Sequence, residues 1–210
     1  MLSTRRRLLQ GAAALLTAAT LAMPACASEK SAAPAAGKTA HHTNPRVKFV
    51  TSNGDFVVEL YPDQAPKTVA NFLQYVREKQ YDGTIFHRVI KTFMIQGGGY
   101  DAQYQEKPTR EPIKNEADNG LKNTVYTLAM ARKPDPDSAT AQFFINVADN
   151  GFLDYTAPTP QGWGYAVFGK VVSGQGSVDK IRDTPTGAGG PFPTDVPQQP
   201  VVIQSVTLVK

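Results

Sequence analysis

Among the 210 residues of this chain, Arg88 is the one whose type and setting most suggest chemistry. It sits in the run 84–90, TIFHRVI, between Phe86 and Ile90 on one face of a strand read with period two. A guanidinium among apolar side chains must find acceptors or stay at a wet edge. Gln96, closing the second run 93–96 (FMIQ), carries an amide able to hold it. The plainer alternative is a hairpin whose arginine snorkels from the sheet to water. Further on, alternation through 141–147 (AQFFINV) puts Gln142, Phe144 and Asn146 on one face and Phe143 and Ile145 on the other. An aromatic ring between two amides suits a strand that lines a groove, or an ordinary strand with mixed edges. Cys26 is the only cysteine, so no disulfide is expected in the folded domain, and His41-His42 stand in a tether without further clustered ligands, which does not support a metal site.

Such side chains need a sheet to present them, and the sequence reads as one. Segments 46–51 and 55–61 flank Ser52-Asn53-Gly54, a strong hairpin signal. Phe56, Val58 and Leu60 share a face there, and Pro62 stops the strand. Pro66 then opens a helix with Val69, Phe72, Leu73 and Val76 at helical spacing, running to about Lys79. After the Arg88 stretch, 101–122 is a polar, Gly/Pro-interrupted surface loop. Strands follow over 125–131, 141–147, 165–172 and 201–209. A short helix is expected over 177–183 with Ser177 as its N-cap, and 184–200 reads as a proline and glycine loop. Many short strands with two helices indicate an all-β sheet or barrel.

FHRVIKTFMIQGG, with AQFFI and YAVFGKVV in the same order, closely resembles the cyclophilin-type peptidyl-prolyl cis-trans isomerases, and the likeness extends through nearly all of residues 46–210. The resemblance implies an all-β fold, a closed eight-stranded antiparallel β-barrel capped by two α-helices, and cofactor-free isomerisation of the bond before proline. It implies Arg88, Phe93 and Gln96 as catalytic residues, Gln96 orienting Arg88. Met94, Phe144 and Leu153 would complete an apolar pocket for the proline ring with Phe93, and Gln142 would lie on the peptide path. Ala131 and the backbone of Arg132 would anchor the residue preceding proline, with Phe152 and Tyr165 also at the binding surface. Partners implied are proline-containing peptides and folding proteins, met by a monomer. A binding or chaperone module using the same groove without turnover is the rival reading. Plain alternation would place Phe93 and Gln96 on opposite faces, so sharing one site requires a bend or bulge.

Several positions depart from the family pattern. Thr92 stands where glycine is common, Arg132 where many members have asparagine, Phe152 where tryptophan is usual and Tyr165 where histidine is usual. The loop 155–164 is longer than in compact eukaryotic forms and looks like that of exported bacterial members. The Phe152 difference implies weak cyclosporin binding.

Residues 1–27 read as a signal peptide: Arg5-Arg6-Arg7 precede an uncharged run from Gly11 to Met23, too short for a stable membrane span. The arginine pair before Leu8-Leu9 fits twin-arginine export, with general secretion the alternative. Ala25-Cys26-Ala27 offers ordinary cleavage before Ser28, and Met23-Pro24-Ala25-Cys26 loosely resembles a lipidation site at Cys26. Residues 28–45, rich in Ala, Lys, Ser and Pro without periodicity, read as a flexible tether. The expected location is the periplasm. Without residues 1–27 the chain carries 19 bases against 18 acids, so its charge is no footprint for nucleic acid.

Overall fold

The computed structural model describes residues 44–209. The leader, Cys26, His41-His42 and all but the end of the expected tether lie outside that range. Strands β1 (Arg46–Thr51) and β2 (Gly54–Leu60) form the expected hairpin, with Thr51 opposite Gly54. Thr51 Oγ1 fastens the turn by donating to Gly54 O at 2.6 Å. The remaining barrel strands are β3 (Thr84–Ile85), β4 (Arg88–Ile90), β5 (Met94–Gly97), β6 (Thr127–Met130), β7 (Phe143–Asn146), β8 (Val167–Ser173) and β11 (Val202–Val209). β9 (Thr186–Gly189) and β10 (Phe192–Pro197) pair separately.

All pairings are antiparallel, and the main sheet runs β3-β11-β1-β2-β8-β6-β7-β5-β4. Nine strands replace the expected eight because one expected strand is split. β3 and β4, at the two ends of the order, are successive pieces of the run 84–90, separated by Phe86-His87. Taken as one interrupted strand they join the sheet's ends, and the order becomes a ring of eight. The split also corrects the face on which Phe86 was expected. Phe86 turns into the core, edge-on to Phe143 at 6.1 Å, as does Val89. An odd spacing between two inward residues means the alternation reverses between them. Arg88 therefore does not share a face with Phe86.

The ring is filled by aromatic side chains: Phe49 stacks on Phe56 at 4.7 Å, and Phe72 reaches Phe143 and Phe168 at 6.1 and 5.2 Å. Phe72 comes from α1 (Pro66–Arg77), whose apolar stripe buries Val69, Phe72, Leu73 and Val76. Ala65 gives that helix no side-chain cap. Glu116 supplies one from a distant loop, accepting from the Lys67 and Thr68 amides at 3.1 and 2.8 Å. Pro66 at the first turn removes another donor that would want a partner. The second helix, α2 (Gln175–Arg182), buries Val178 and Ile181 against the barrel. It begins two residues before Ser177, so Ser177 is not its N-cap. Gly174, at φ 80°, holds that place in a left-handed conformation that favours glycine. The expected 184–200 loop contains the β9–β10 hairpin, with Gly190 at its turn at φ 53°.

Candidate active site

Four strands present one outer face. In the register Arg88 pairs with Gln96, Gln96 with Phe144, and Phe144 with Ala129. Their neighbours Val89, Ile95, Phe143, Ile145, Leu128 and Met130 point into the core. On the outer face Met94, Ala129, Phe144, Leu153 and Val167 make a second, smaller apolar cluster, with Phe93, Ala131 and Tyr165 against it. Over it opens a cavity of about 370 Å³ lined by Arg88, Phe93, Met94, Gln96, Ala131, Arg132, Phe144, Leu153 and Tyr165. Two guanidiniums and no carboxylate line it.

Phe93 reaches this face without a bulge. It belongs to the turn before β5, its amide donating to Ile90 O at 2.9 Å, so strand alternation does not govern it. Phe152 lies beyond the cavity wall, 75 % exposed, its ring stacked on Phe93 at 5.6 Å and 29°. Gln142 is on the same side but outside this cavity, lining the clefts on either side. Gln96 Nε2 donates to Gln142 Oε1 at 3.0 Å, and among the described residues its Oε1 accepts nothing from Arg88, so Gln96 does not orient that side chain here. Gln142 lies flat against Gly99, where a Cβ would sit 2.5 Å from its side chain. The exposed Arg88 side chain meets no acceptor among the described residues.

Arg132 is fixed by its side chain as well as its backbone. Nε donates to Gly164 O at 2.8 Å and Nη1 to Lys133 O at 2.9 Å, while the guanidinium lies over the Tyr165 ring at 4.7 Å. Tyr165 in turn meets Phe144 edge-on at 5.7 Å. The two departures at 132 and 165 thus form one contact, a cation over a ring at the rim of the cavity.

The residues that hold this wall were not singled out as such by sequence reasoning. Asn150 Nδ2 donates to Phe93 O at 2.9 Å and to Asn146 Oδ1 at 2.7 Å. Asn146 Nδ2 donates to Asn123 Oδ1 at 3.1 Å and Thr127 Oγ1 at 2.9 Å. Asn123 Nδ2 reaches Asp154 Oδ1 at 3.1 Å. This buried chain of amides ties the Phe93 turn to the 3-10 turn Gly151–Leu153, which carries Phe152 and Leu153. Asn146 is therefore a buried strut and does not line the groove. The available signal was three asparagines flanking apolar strands, a composition that cannot be buried unpaired.

His87 is buried beside Arg88, its imidazole 4.7 Å from Tyr100 and 5.5 Å from Phe192, with Nδ1 unpartnered. Burial first, then the Arg88 charge, depress its pKa to about 4, against a smaller opposing effect of a hydrogen bond with the Ile85 backbone. The ring is neutral at pH 7 and behaves as an aromatic wall.

A family model for cyclophilin type peptidyl-prolyl cis-trans isomerases matches residues 46–208. The chain is 60 % identical over 163 residues to peptidyl-prolyl cis-trans isomerase cyp18 of Streptomyces antibioticus, covering 78 % of this chain and 98 % of that protein. It is 57 % identical over 162 residues to peptidyl-prolyl cis-trans isomerase B of Escherichia coli K12, covering 77 % and 98 %. A crystal structure of a Cryptosporidium parvum isomerase of this type, in the presence of the dipeptide Ala-Pro, superposes with a TM-score of 0.63 at 26 % identity, covering 79 % and 99 %.

Proposed function

The chain belongs to the cyclophilin-type peptidyl-prolyl cis-trans isomerases and is an enzyme of that activity, and from this premise we propose that Arg88 drives the reaction on proteins folding after export. The observation that carries the mechanism is a guanidinium without an acceptor among the described residues, set beside Gln96 at the mouth of a cavity whose floor is apolar.

Rotation about the bond before proline breaks no covalent bond. Its barrier, roughly 18–20 kcal/mol, is lost amide resonance. A ten-second process becomes a millisecond one with about 10⁴-fold acceleration, or roughly 5–6 kcal/mol of selective stabilisation. Phe93, Met94, Phe144 and Leu153 hold the proline ring. The edge at Ala131–Arg132 holds the preceding residue by its backbone. As the amide twists, the prolyl nitrogen becomes pyramidal and gains a lone pair. The Arg88 guanidinium then has an acceptor that the planar ground state lacks, so its hydrogen bond is made only in the transition state. Gln96, braced by Gln142, contacts the substrate backbone beside it and keeps the neighbouring strand face polar.

The substrates are proline-containing peptides and folding proteins, and the enzyme acts as a monomer with weak affinity for cyclosporin. The role in export is supported by the leader-like residues 1–27. Two measurements test the reading. Exchange spectroscopy on a short X-Pro peptide with the full chain should show catalysed isomerisation unaffected by chelators, and its absence would overturn the assignment. Cell fractionation should find the protein soluble in the periplasm and unmoved by Cys26→Ala. Release from a membrane fraction by that change would establish a lipid anchor instead.

A further inference from the structure

A second cleft, of about 360 Å³, opens on the other side of Arg88 and shares Arg88 and Gln96 with the proline cavity. One wall is the body of the barrel, with His87, Tyr100 and Gln142; the other is the β9–β10 hairpin, with Phe192, Pro193, Thr194 and Asp195. We propose that this cleft is a subsite for the residue that follows proline and that it selects an aromatic side chain.

The assignment rests on the isomerase reading and on how the clefts connect. A groove of about 440 Å³ shares Ala131, Arg132 and Gln96 with the proline cavity and does not include Arg88. A peptide whose residue before proline is held at Ala131–Arg132 occupies that side. Beyond the proline ring its chain leaves past Arg88, into the cleft under the hairpin. The Gln96–Gln142 amide pair stands at the junction of both paths.

The chemistry of the walls names the side chain. Tyr100 and Phe192 meet edge-to-face at 5.1 Å and 87°, with the His87 imidazole packed against both. Burial keeps that imidazole uncharged, so three flat rings are presented together. Arg88 and Asp195 line the same cleft with opposite charges. A lysine or glutamate entering it would gain from one and be opposed by the other. A planar ring suffers neither penalty, and it can take the Arg88 guanidinium on its face and the cleft's ring edges at its side.

The hairpin is a fixed wall. A Cβ at Gly189 would lie 2.7 Å from Val196 Cγ1 and 2.9 Å from the Tyr104 hydroxyl, so this strand is seated against Tyr104. Asp195 holds a left-handed backbone at φ 67°, and Thr194 Oγ1 donates to its carboxylate at 3.0 Å. These contacts place the ring of Phe192 opposite His87 without help from a ligand.

The test is a protease-free exchange measurement on peptides Ala-Ala-Pro-X-Ala, with X as Phe, Leu, Lys, Glu or Gly, using the full chain. The expected result is a kcat/KM for the Phe peptide about tenfold above the Gly, Lys and Glu peptides, expressed mainly in KM. Phe192→Ala removes one wall, and Thr194→Trp fills the cleft from an exposed position without touching the core. Both should bring the Phe-to-Gly ratio to within about twofold. Equal rates for all X, or a ratio surviving in both variants, would overturn the subsite while leaving the isomerase reading intact. Failure to catalyse any of the peptides would overturn that reading, and the subsite with it.

Discussion

Arg88→Ala separates chemistry from stability at the proposed catalytic position. The Arg88 side chain is exposed and makes no hydrogen bond or ion pair among the described residues, so its removal leaves no buried group unpaired. Surface changes of this kind stay within about 0.5 kcal/mol, and the lower strand preference of alanine adds less than about 1 kcal/mol. For a domain of this size the melting temperature should therefore move by no more than about 5 °C. A hydrogen bond to a charged donor contributes roughly 1.5–3 kcal/mol. If it forms only at the twisted amide, its loss lowers kcat by about 12- to 160-fold and leaves KM near its original value. Arg88→Lys, which keeps the charge but replaces the planar fork with a compact ammonium on a shorter reach, should fall between. The assay is isomerisation of a fixed X-Pro peptide over a range of concentrations, with a melting curve on the same samples. A folded Arg88→Ala enzyme within twofold of the parent refutes the mechanism, as does a loss carried wholly by KM.

Phe152→Trp places an indole donor and a broader face beside Phe93 at a site already 75 % exposed. Regaining one neutral hydrogen bond, roughly 0.5–1.5 kcal/mol, together with added aromatic burial should tighten cyclosporin binding at least about tenfold with kcat/KM changed less than threefold. An unchanged dissociation constant would remove Phe152 from this selectivity. His87 should make the fold acid-sensitive. Its folded pKa of about 4 lies below the unfolded value near 6.5, so between these the unfolded chain binds more protons. Its contribution to stability is then complete above about pH 6.5 and falls by about 3 kcal/mol on reaching pH 4. Denaturant titrations should show that slope flattened in His87→Phe, and an equal slope in both proteins would count against it. Asn146→Ala strands amides on Asn150 and Asn123, at about 1–3 kcal/mol for each group left unpaired. The variant should lose about 3 kcal/mol in denaturant titration, and a loss below 1 kcal/mol would show that water replaces the strut.

The sequence made α1 readable because a proline start and a 3.6-residue apolar stripe agree, although its cap is Glu116, which no local pattern reveals. The outer face was legible at 141–147, where alternation holds from Phe143 through Asn146. Alternation misplaced Phe86 because the strand breaks at Phe86-His87, and only the pairing of Ile85 with Tyr100 and Phe86 with Val201 shows the break. Phe93 needs no bulge because it belongs to the turn before β5, a boundary that composition does not mark. The β9–β10 hairpin was read as loop because Gly and Pro dominate it. Its seating on Tyr104 and His87 is tertiary and leaves no periodic trace.

The continuity of the ring has a consequence for how the chain can be cut. Arg46 pairs with Val209, so the first and last strands of the barrel end side by side, about 5 Å apart between backbones. A short Gly/Ser linker could join them without disturbing any ladder. The opening could then be moved to the loop 157–162, whose turn is closed by its own backbone hydrogen bonds and carries none of the ring's pairing. Such a permuted chain would keep every strand neighbour and bring two new ends out near the Tyr165 side of the substrate surface. A sensor or targeting peptide attached there would sit beside the bound proline segment.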